Sequence, residues 1–388
     1  MIDTLINQRV KSIQPSGIRK FFDIVSQMKD VISLGVGEPD FLTPWHVRDE
    51  AIYQLEKGRT TYTSNSGLLE LRQEICHYLY NQYELKYNPN DEVLITVGAS
   101  EAIDLAIRAV IEPGDEVLIP EPSYVSYSPC VILAGGTPVA IRTTEETEFR
   151  LTAEDVEECI TPRSKILILP YPNNPTGAIM EKDDLKAIVD VLKKHNILIV
   201  SDEIYSELTY GTKHVSIASF EEVYDQTLVI NGFSKAFAMT GWRLGYAAGP
   251  KSLIAVMTKI HQYAIMCTPT ISQYAAIEAL RNGMENVRCM VEEYDRRRKL
   301  LVHGFRKMGL DCFEPKGAFY VFPSIKSLGL SSEEFCDKLL YEAKVAVVPG
   351  NAFGKCGEGH VRISYAYSVE TLEKALERIG EFVQKYKK

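Results

Sequence analysis

A serine, a lysine and an arginine lie within one short segment, residues 231–245, and their chemistry suits a Schiff base beside a phosphate. Lys235 follows Ser234 directly, and Arg243 stands eight residues further on. An amine that condenses with an aldehyde must be held in place, and a hydroxyl and a guanidinium can clamp an anion beside it. Pyridoxal 5′-phosphate is a cofactor that is both an aldehyde and a phosphate ester. The alternative is an ordinary surface lysine and arginine in a glycine-rich loop.

A carboxylate and a phenol follow the predicted strand 197–201. Asp202 comes directly after that strand, and Tyr205 lies three residues beyond it. Open α/β sheets bind ligands beyond the carboxyl ends of their strands, where a carboxylate can pair with a protonated pyridine nitrogen. The phenol can hydrogen-bond the phenolate oxygen of the same ring. The alternatives are that Asp202 is a turn residue and that Tyr205, one of 21 tyrosines, lies there by chance.

Two further side chains lie in loops after predicted strands. Asn174 belongs to the turn 172–177 after strand 165–169, and its amide can donate to the same phenolate oxygen. Tyr124 follows the strand that ends at Pro120 and can lie flat on the pyridine ring. A plain turn and a core aromatic are the respective alternatives.

Two candidate anion sites complete the set. Gly98, Ala99 and Ser100 join a strand to a helix expected to begin near Ser100, so backbone N–H groups and a hydroxyl can bind the phosphate. Ser100 as an ordinary N-cap is compatible with that role. Arg362 alternates with apolar residues and suits two-point capture of an α-carboxylate, the alternative being a solvent-facing arginine.

Short apolar runs alternate with helical patterns along most of the chain. This alternation predicts a mostly parallel sheet with helices on both faces. The predicted strands are 92–97, 116–120, 165–169, 197–201 and 227–231, and the predicted helices are 67–82, 100–111 and 181–195. Beyond about residue 285, a long charged helix, strands at 318–323 and 361–366, and a helix after Ser368 predict a second, smaller α/β domain.

Composition excludes several classes of partner. The 388 residues carry 43 basic and 52 acidic side chains, so the charge of −9 opposes nucleic acid and anionic membrane as general partners. No run approaches the roughly 20 apolar residues of a membrane span, so we expect a cytoplasmic protein. The eight cysteines are scattered, and no metal site is predicted.

Taken together, the motifs resemble the class I/II aminotransferases, a family of fold-type I pyridoxal phosphate enzymes. The likeness runs from the Gly-Val-Gly-Glu-Pro-Asp-Phe segment at 35–41 to Arg362. It implies an α/β fold with a mostly parallel central sheet covered by helices. It also implies an N-terminal arm with part of the small domain at 1–44, a large cofactor-binding domain at 45–285 and a small domain at 286–388.

The resemblance also implies a role for each candidate residue. Lys235 carries the cofactor, Asp202 pairs with the pyridine nitrogen, Tyr205 and Asn174 bind the phenolate oxygen, and Tyr124 stacks on the ring. The phosphate ligands are Gly98, Ala99, Ser100, Ser234 and Arg243, and the substrate carboxylate is held by Arg362, Asn174 and the Gly37 backbone. Tyr62 reaches the phosphate of a neighbouring subunit, which implies a homodimer with shared active sites.

The implied reaction is ping-pong transfer of an amino group between an L-amino acid and a 2-oxo acid. Aspartate-preferring relatives carry a lysine at the position of Ser100 or an arginine in a stretch that matches residues 258–268, and neither is present here. Broad, aromatic or N-acetyl-diaminopimelate specificity is therefore expected, although Arg19 or Lys20 can substitute. The alternatives are a β-lyase with the same cofactor and, more remotely, a non-catalytic sensor domain.

Overall fold

A seven-stranded sheet forms the centre of the computed structural model, which describes residues 2–13, 28 and 30–387. The strands of this sheet are β2 Val93–Thr96, β3 Glu116–Glu121, β4 Thr137–Arg142, β5 Ser164–Leu169, β6 Leu198–Asp202, β7 Thr227–Gly232 and β8 Gly245–Ala248. Their order in the sheet is β2-β8-β7-β6-β5-β3-β4; β8 is antiparallel to both neighbours, and the other pairs are parallel. The predicted fold class, a mostly parallel sheet, is confirmed.

Helices cover both faces of this sheet, because successive strand side chains point to opposite faces. Ile199 packs in one apolar cluster with Leu185, whereas Val200 packs in another with Ile103 and Ile254. The helices are α1 Gln8–Ser12, α2 Trp45–Glu56, α3 Leu69–Tyr83, α4 Ala99–Val110, α5 Tyr127–Ala134, α6 Ala153–Cys159, α7 Lys182–Leu192, α8 Lys251–Ala264, α9 Thr270–Asn282, α10 Met284–Lys307, α11 Ser332–Lys338 and α12 Val369–Tyr386. Among the described residues, no helix is both long and apolar enough to cross a membrane.

The remaining strands form two small sheets beside the long helix α10. They are β1 Ile32–Ser33, β9 Tyr320–Val321, β10 Val345–Ala346, β11 Val348–Pro349 and β12 Val361–Ser364. Strand β12 lies between β11 and β9 in an antiparallel sheet, and β1 pairs with β10 in parallel. Ser368 caps the predicted terminal helix by accepting a hydrogen bond from the Thr371 amide. The domain boundaries stay a prediction.

The structure corrects several predicted boundaries. The strands expected at 318–323 and 361–366 are shortened to β9 and β12, while β4 and β8 were not predicted. Strand β4 lies at the sheet edge and is partly exposed, so its sequence lacks a continuous apolar run. Strand β8 is buried but built mainly from glycine and alanine, which carry little strand propensity.

Candidate active site

A cavity of about 780 Å³ lies beyond the carboxyl ends of the central parallel strands. This is the position at which open α/β sheets bind ligands. Gly98 and Tyr62 are the two predicted site residues that do not line it. The predicted residues that do are Gly37, Ala99, Ser100, Tyr124, Asn174, Asp202, Tyr205, Ser234, Lys235, Arg243 and Arg362.

Lys235 follows strand β7 and projects an amine into the cavity. Its Nζ donates a hydrogen bond to the Gly37 carbonyl oxygen at 2.7 Å. Burial lowers the pKa of Lys235 to about 8, although the carboxylate of Glu38 raises it in part. The amine is therefore neutral at a lower pH than an ordinary lysine, which suits a nucleophile toward an aldehyde.

Asp202 is the last residue of β6 rather than the first residue after it, because its backbone pairs with Ile230 of β7. Both carboxylate oxygens are held. Oδ2 accepts a hydrogen bond from the Tyr127 hydroxyl at 2.7 Å, and Oδ1 accepts one from the Ile204 amide at 3.2 Å. Burial raises the pKa of Asp202 to about 6, and these two bonds lower it. A buried carboxylate of this kind favours a cationic partner.

Arg362 lies on β12 among aromatic rings. Its guanidinium carbon is 4.6 Å from the centroid of Tyr320 and 4.8 Å from that of Phe353. Nη1 donates to Asn174 Oδ1 at 2.9 Å, and Nη2 donates to the Gly35 carbonyl oxygen.

The charge of Arg362 has no counter-ion within the described part of the chain. No carboxylate there forms an ion pair with the guanidinium, and its buried Nε has no acceptor. An unpaired buried cation is costly, so an anionic ligand satisfies it.

The backbone at Gly98 forms a cradle beside Arg243. Gly98 has φ +76° and caps helix α4, and a Cβ on it would lie 2.8 Å from Arg243 Nη2. A glycine is therefore required for this close approach. The first-turn amides of Ala99 and Ser100 have no intrahelical acceptor, and the helix N-terminus carries partial positive charge. Helix α4 begins at Ala99, next to Ser100 as expected, and its N-cap is Gly98 rather than Ser100.

These features fit pyridoxal phosphate. A buried amine, a buried carboxylate and an anion cradle converge on one cavity, which matches the aldehyde, the ring nitrogen and the phosphate of that cofactor. Among the described residues, no cluster of His, Cys, Asp or Glu side chains can hold a metal ion.

Sequence reasoning missed two tyrosines of the cavity. Tyr127 donates to Asp202, and the Tyr320 hydroxyl lies 2.9 Å from the Tyr205 hydroxyl. A weak signal existed for Tyr127, which stands three residues after Tyr124 in a tyrosine-rich segment. Tyr320 lies in the predicted strand 318–323, but nothing in the sequence marks its partner.

Tyr62 lies on the surface of the chain, with 79% of its area exposed. Both flanking residues are held by hydrogen bonds: Thr270 Oγ1 donates to the Thr61 carbonyl oxygen at 2.7 Å, and Gln273 Nε2 donates to the Thr63 side-chain oxygen Oγ1 at 3.0 Å. Arg19 and Lys20, the proposed substitutes for a side-chain carboxylate ligand, lie outside the described residues.

Comparisons with known proteins agree with this chemistry. Residues 29–379 match the family described as aminotransferase class I and II. The chain is 53% identical over 380 residues to the Bacillus subtilis protein YugH, covering 98% of each chain. It is 48% identical to an aspartate aminotransferase of Pyrococcus abyssi, covering 98% of this chain and 99% of that protein. The crystal structure of an aromatic aminotransferase from Pyrococcus horikoshii superposes with a TM-score of 0.91 at 46% identity, covering 95% of this chain and 99% of that one.

Proposed function

The chain belongs to the class I and II aminotransferase family and is a pyridoxal phosphate-dependent transaminase, and on that premise we propose that Lys235 carries the cofactor and moves the substrate proton. The observation that supports this most is the burial of the Lys235 amine in a cavity shared with Asp202 and Arg362. When bound, the cofactor acts as an electron sink for the bond broken at the substrate α-carbon.

Each neighbouring group has a proposed task. Asp202 would face the ring nitrogen and stabilise its protonated form. Tyr205 and Asn174 would hold the ring oxygen, and Tyr124 would stack on the ring. Ser234, Arg243 and the segment of Gly98, Ala99 and Ser100 would hold the phosphate. The Lys235 amine would accept the substrate α-proton as a general base and release it again as a general acid.

Arg362 is proposed to bind the substrate α-carboxylate, with the Gly37 backbone beside it. The guanidinium is buried, lacks a counter-ion among the described residues and keeps a free Nε donor. A planar carboxylate can accept two parallel hydrogen bonds from such a group. The side chain of Asn174 fixes the guanidinium by accepting from Nη1 at 2.9 Å.

The substrate side chain is proposed to be broad, aromatic or of the N-acetyl-diaminopimelate type rather than strictly aspartate. The cations among the described lining residues are Lys235, Arg243 and Arg362, and all three have other proposed tasks. Glu38 also lines the cavity and is exposed, so its charge opposes a short acidic side chain such as that of aspartate. Aromatic surfaces such as that of Tyr124 suit an apolar side chain.

A donor panel tests this specificity. We expect kcat/KM for L-phenylalanine or L-tyrosine to exceed that for L-aspartate when 2-oxoglutarate is the acceptor. Ser100→Lys should raise the aspartate value by about tenfold, because it adds a cation at the cavity wall. Ser100→Gln is the matched control, since it removes the same hydroxyl without adding charge. A wild-type preference for aspartate, with no response to Ser100→Lys, would contradict the proposed specificity but not transamination.

The active unit is proposed to be a homodimer in which Tyr62 reaches the phosphate of the neighbouring subunit. Two observations support this. Tyr62 is exposed outside its own cavity. Tyr263 and Met266 are exposed too, and the backbone of Met266 lies beside the same loop, since Asn65 Nδ2 donates to the Met266 carbonyl oxygen at 2.8 Å. Exposed apolar patches mark interfaces, and a two-fold interface brings each loop to the other site.

Mixed subunits test the shared site. Tyr62→Phe and Lys235→Ala subunits are combined, and the exchange of subunits is confirmed by the mass of the mixed dimer. If Tyr62 acts across the interface, one site of each mixed dimer carries both changes and the other carries neither, so activity should be recovered above the mean of the parents. If exchange is complete and no activity is recovered, Tyr62 serves its own subunit or no site at all.

A further inference from the structure

We propose that Tyr127 is a positioning residue that holds the Asp202 carboxylate against the cofactor ring, an inference that rests on the role proposed above for Asp202. Tyr127 is the first residue of helix α5 and is 2% exposed. Its hydroxyl lies 2.7 Å from Asp202 Oδ2, across a separation of 75 residues in the chain.

The hydrogen bonds on Asp202 fix the orientation of its carboxyl plane. The Ile204 amide holds Oδ1 at 3.2 Å, but this bond comes from the same short segment and moves with it. Tyr127 provides the bond from a different element, so it ties the end of β6 to the start of α5. Without it, the carboxylate of Asp202 can rotate away from the ring nitrogen.

Tyr127 also packs against the proposed stacking residue. The rings of Tyr124 and Tyr127 meet edge to face, with centroids 5.6 Å apart and an interplanar angle of 84°. One short segment therefore carries both Tyr124, which would cover the cofactor ring, and the Tyr127 hydroxyl, which holds the Asp202 carboxylate. A Tyr127→Phe change removes the hydroxyl and keeps this ring contact, which separates the two effects.

The charges around Asp202 agree with a donor role. Burial raises the pKa of Tyr127 well above its ordinary value, so the hydroxyl keeps its proton. Burial also raises the pKa of Asp202, and the bond from Tyr127 is the largest opposing effect. The other groups that act on Asp202 are the Ile204 amide and Lys235, which lower its pKa, and Glu203, which raises it. Loss of the hydroxyl therefore makes the carboxylate easier to protonate and a weaker partner for a cation.

The test is a double-mutant cycle on cofactor affinity. The dissociation constant of pyridoxal phosphate is measured with the cofactor-free forms of wild type, Tyr127→Phe, Asp202→Ala and the double variant. In the wild-type background, we expect Tyr127→Phe to weaken binding by about tenfold, the size typical of a hydrogen bond to a charged group. In the Asp202→Ala background, the same change should have no effect, since Tyr127 acts through Asp202.

Tyr78→Phe is the matched control. Tyr78 is also buried and its hydroxyl donates to a carboxylate, that of Glu207, but neither residue lines the cavity. It should leave the dissociation constant unchanged. The absorption spectrum of the bound cofactor gives a second readout, because a weaker partner for the ring nitrogen lowers the pKa of that nitrogen. Tyr127→Phe should shift this titration, and Tyr78→Phe should not.

The outcomes separate the two proposals. If Asp202→Ala binds and turns over like wild type, the role of Asp202 is wrong. If Asp202→Ala is impaired but Tyr127→Phe is not, or if Tyr127→Phe is equally harmful in both backgrounds, the positioning role of Tyr127 is wrong. Should Tyr127→Phe fail to fold, 3-fluorotyrosine at position 127 replaces it. This more acidic donor should tighten cofactor binding when Asp202 is present and not in Asp202→Ala, and the absence of that difference would overturn the proposal.

Discussion

Replacing Arg362 with lysine should selectively weaken donors that carry an α-carboxylate. Lysine keeps the positive charge but cannot form two parallel hydrogen bonds to a carboxylate. It also cannot reach Asn174 and the Gly35 carbonyl oxygen at once, as the guanidinium does. A hydrogen bond to a charged group contributes about 1.5–3 kcal/mol. We therefore expect kcat/KM for amino acids to fall by about 10- to 150-fold.

The assay compares matched donors in a single turnover. L-Phenylalanine and phenylethylamine differ by the carboxylate, and the absorbance of the cofactor reports the rate with each. Arg362→Lys should slow the reaction of L-phenylalanine by about 10- to 150-fold. The rate with phenylethylamine should change by less than about threefold, because this amine has no carboxylate to bind at Arg362.

A buried arginine elsewhere provides the control. Arg298 is also buried, but it forms ion pairs with Asp295 at 2.7 Å and Glu314 at 2.8 Å, outside the cavity. Arg298→Lys should leave the ratio between the two donors unchanged. Equal losses for phenylalanine and phenylethylamine in Arg362→Lys would refute the carboxylate role and make Arg362 a structural residue.

Two further predictions concern titration. Because the folded-state pKa of Asp202 is raised from 3.8 to about 6, its contribution to stability is full below about pH 4 and is lost as pH rises through 6. Asp202→Asn should therefore stabilise the cofactor-free protein by about 3 kcal/mol at pH 7.5 and by much less at pH 4. Thermal unfolding at the two pH values measures this difference, and equal effects at both would exclude the titration of Asp202 as its cause. Burial lowers the pKa of Lys235 to about 8, so the rate at which the protein captures the cofactor should rise with pH and level off above pH 8. Stopped-flow absorbance measures this rate. A rate that still rises at pH 10 would indicate an ordinary lysine.

The sheet and its ligand-binding edge were predictable from the sequence, because buried parallel strands such as β5 and β7 are continuous apolar runs. Strand β8 was not predicted, because its glycine and alanine residues do not form a strongly apolar run in the sequence. These small residues fit between the neighbouring strands. Gly245 shows why small residues are needed there, since a Cβ on it would lie 2.6 Å from the Ala99 amide nitrogen.

Contacts between distant residues of the site were harder to predict. The bond from Arg362 to Asn174 joins residues 188 positions apart, and the bond from Tyr127 to Asp202 joins residues 75 apart. Periodicity and turn signals describe local structure and do not determine such pairs. The candidate roles of Arg362 and Asn174 came from their chemistry and their positions in the sequence, and the family resemblance implied the same roles, but the contact between them was not predicted. The contacts of Tyr127 and Tyr320 were seen only in the three-dimensional structure. A buried tyrosine hydroxyl needs a hydrogen-bond partner, but the sequence does not show which residue that partner is.

The central claim, that Lys235 carries the cofactor, is tested most directly by covalent labelling. Borohydride reduces a Schiff base to a stable secondary amine, and mass spectrometry of the digested protein then locates the pyridoxyl group. We predict that the label lies on Lys235, and that Lys235→Ala takes up no label and does not turn over while remaining folded. A label on another lysine, or wild-type turnover by Lys235→Ala, would contradict the account.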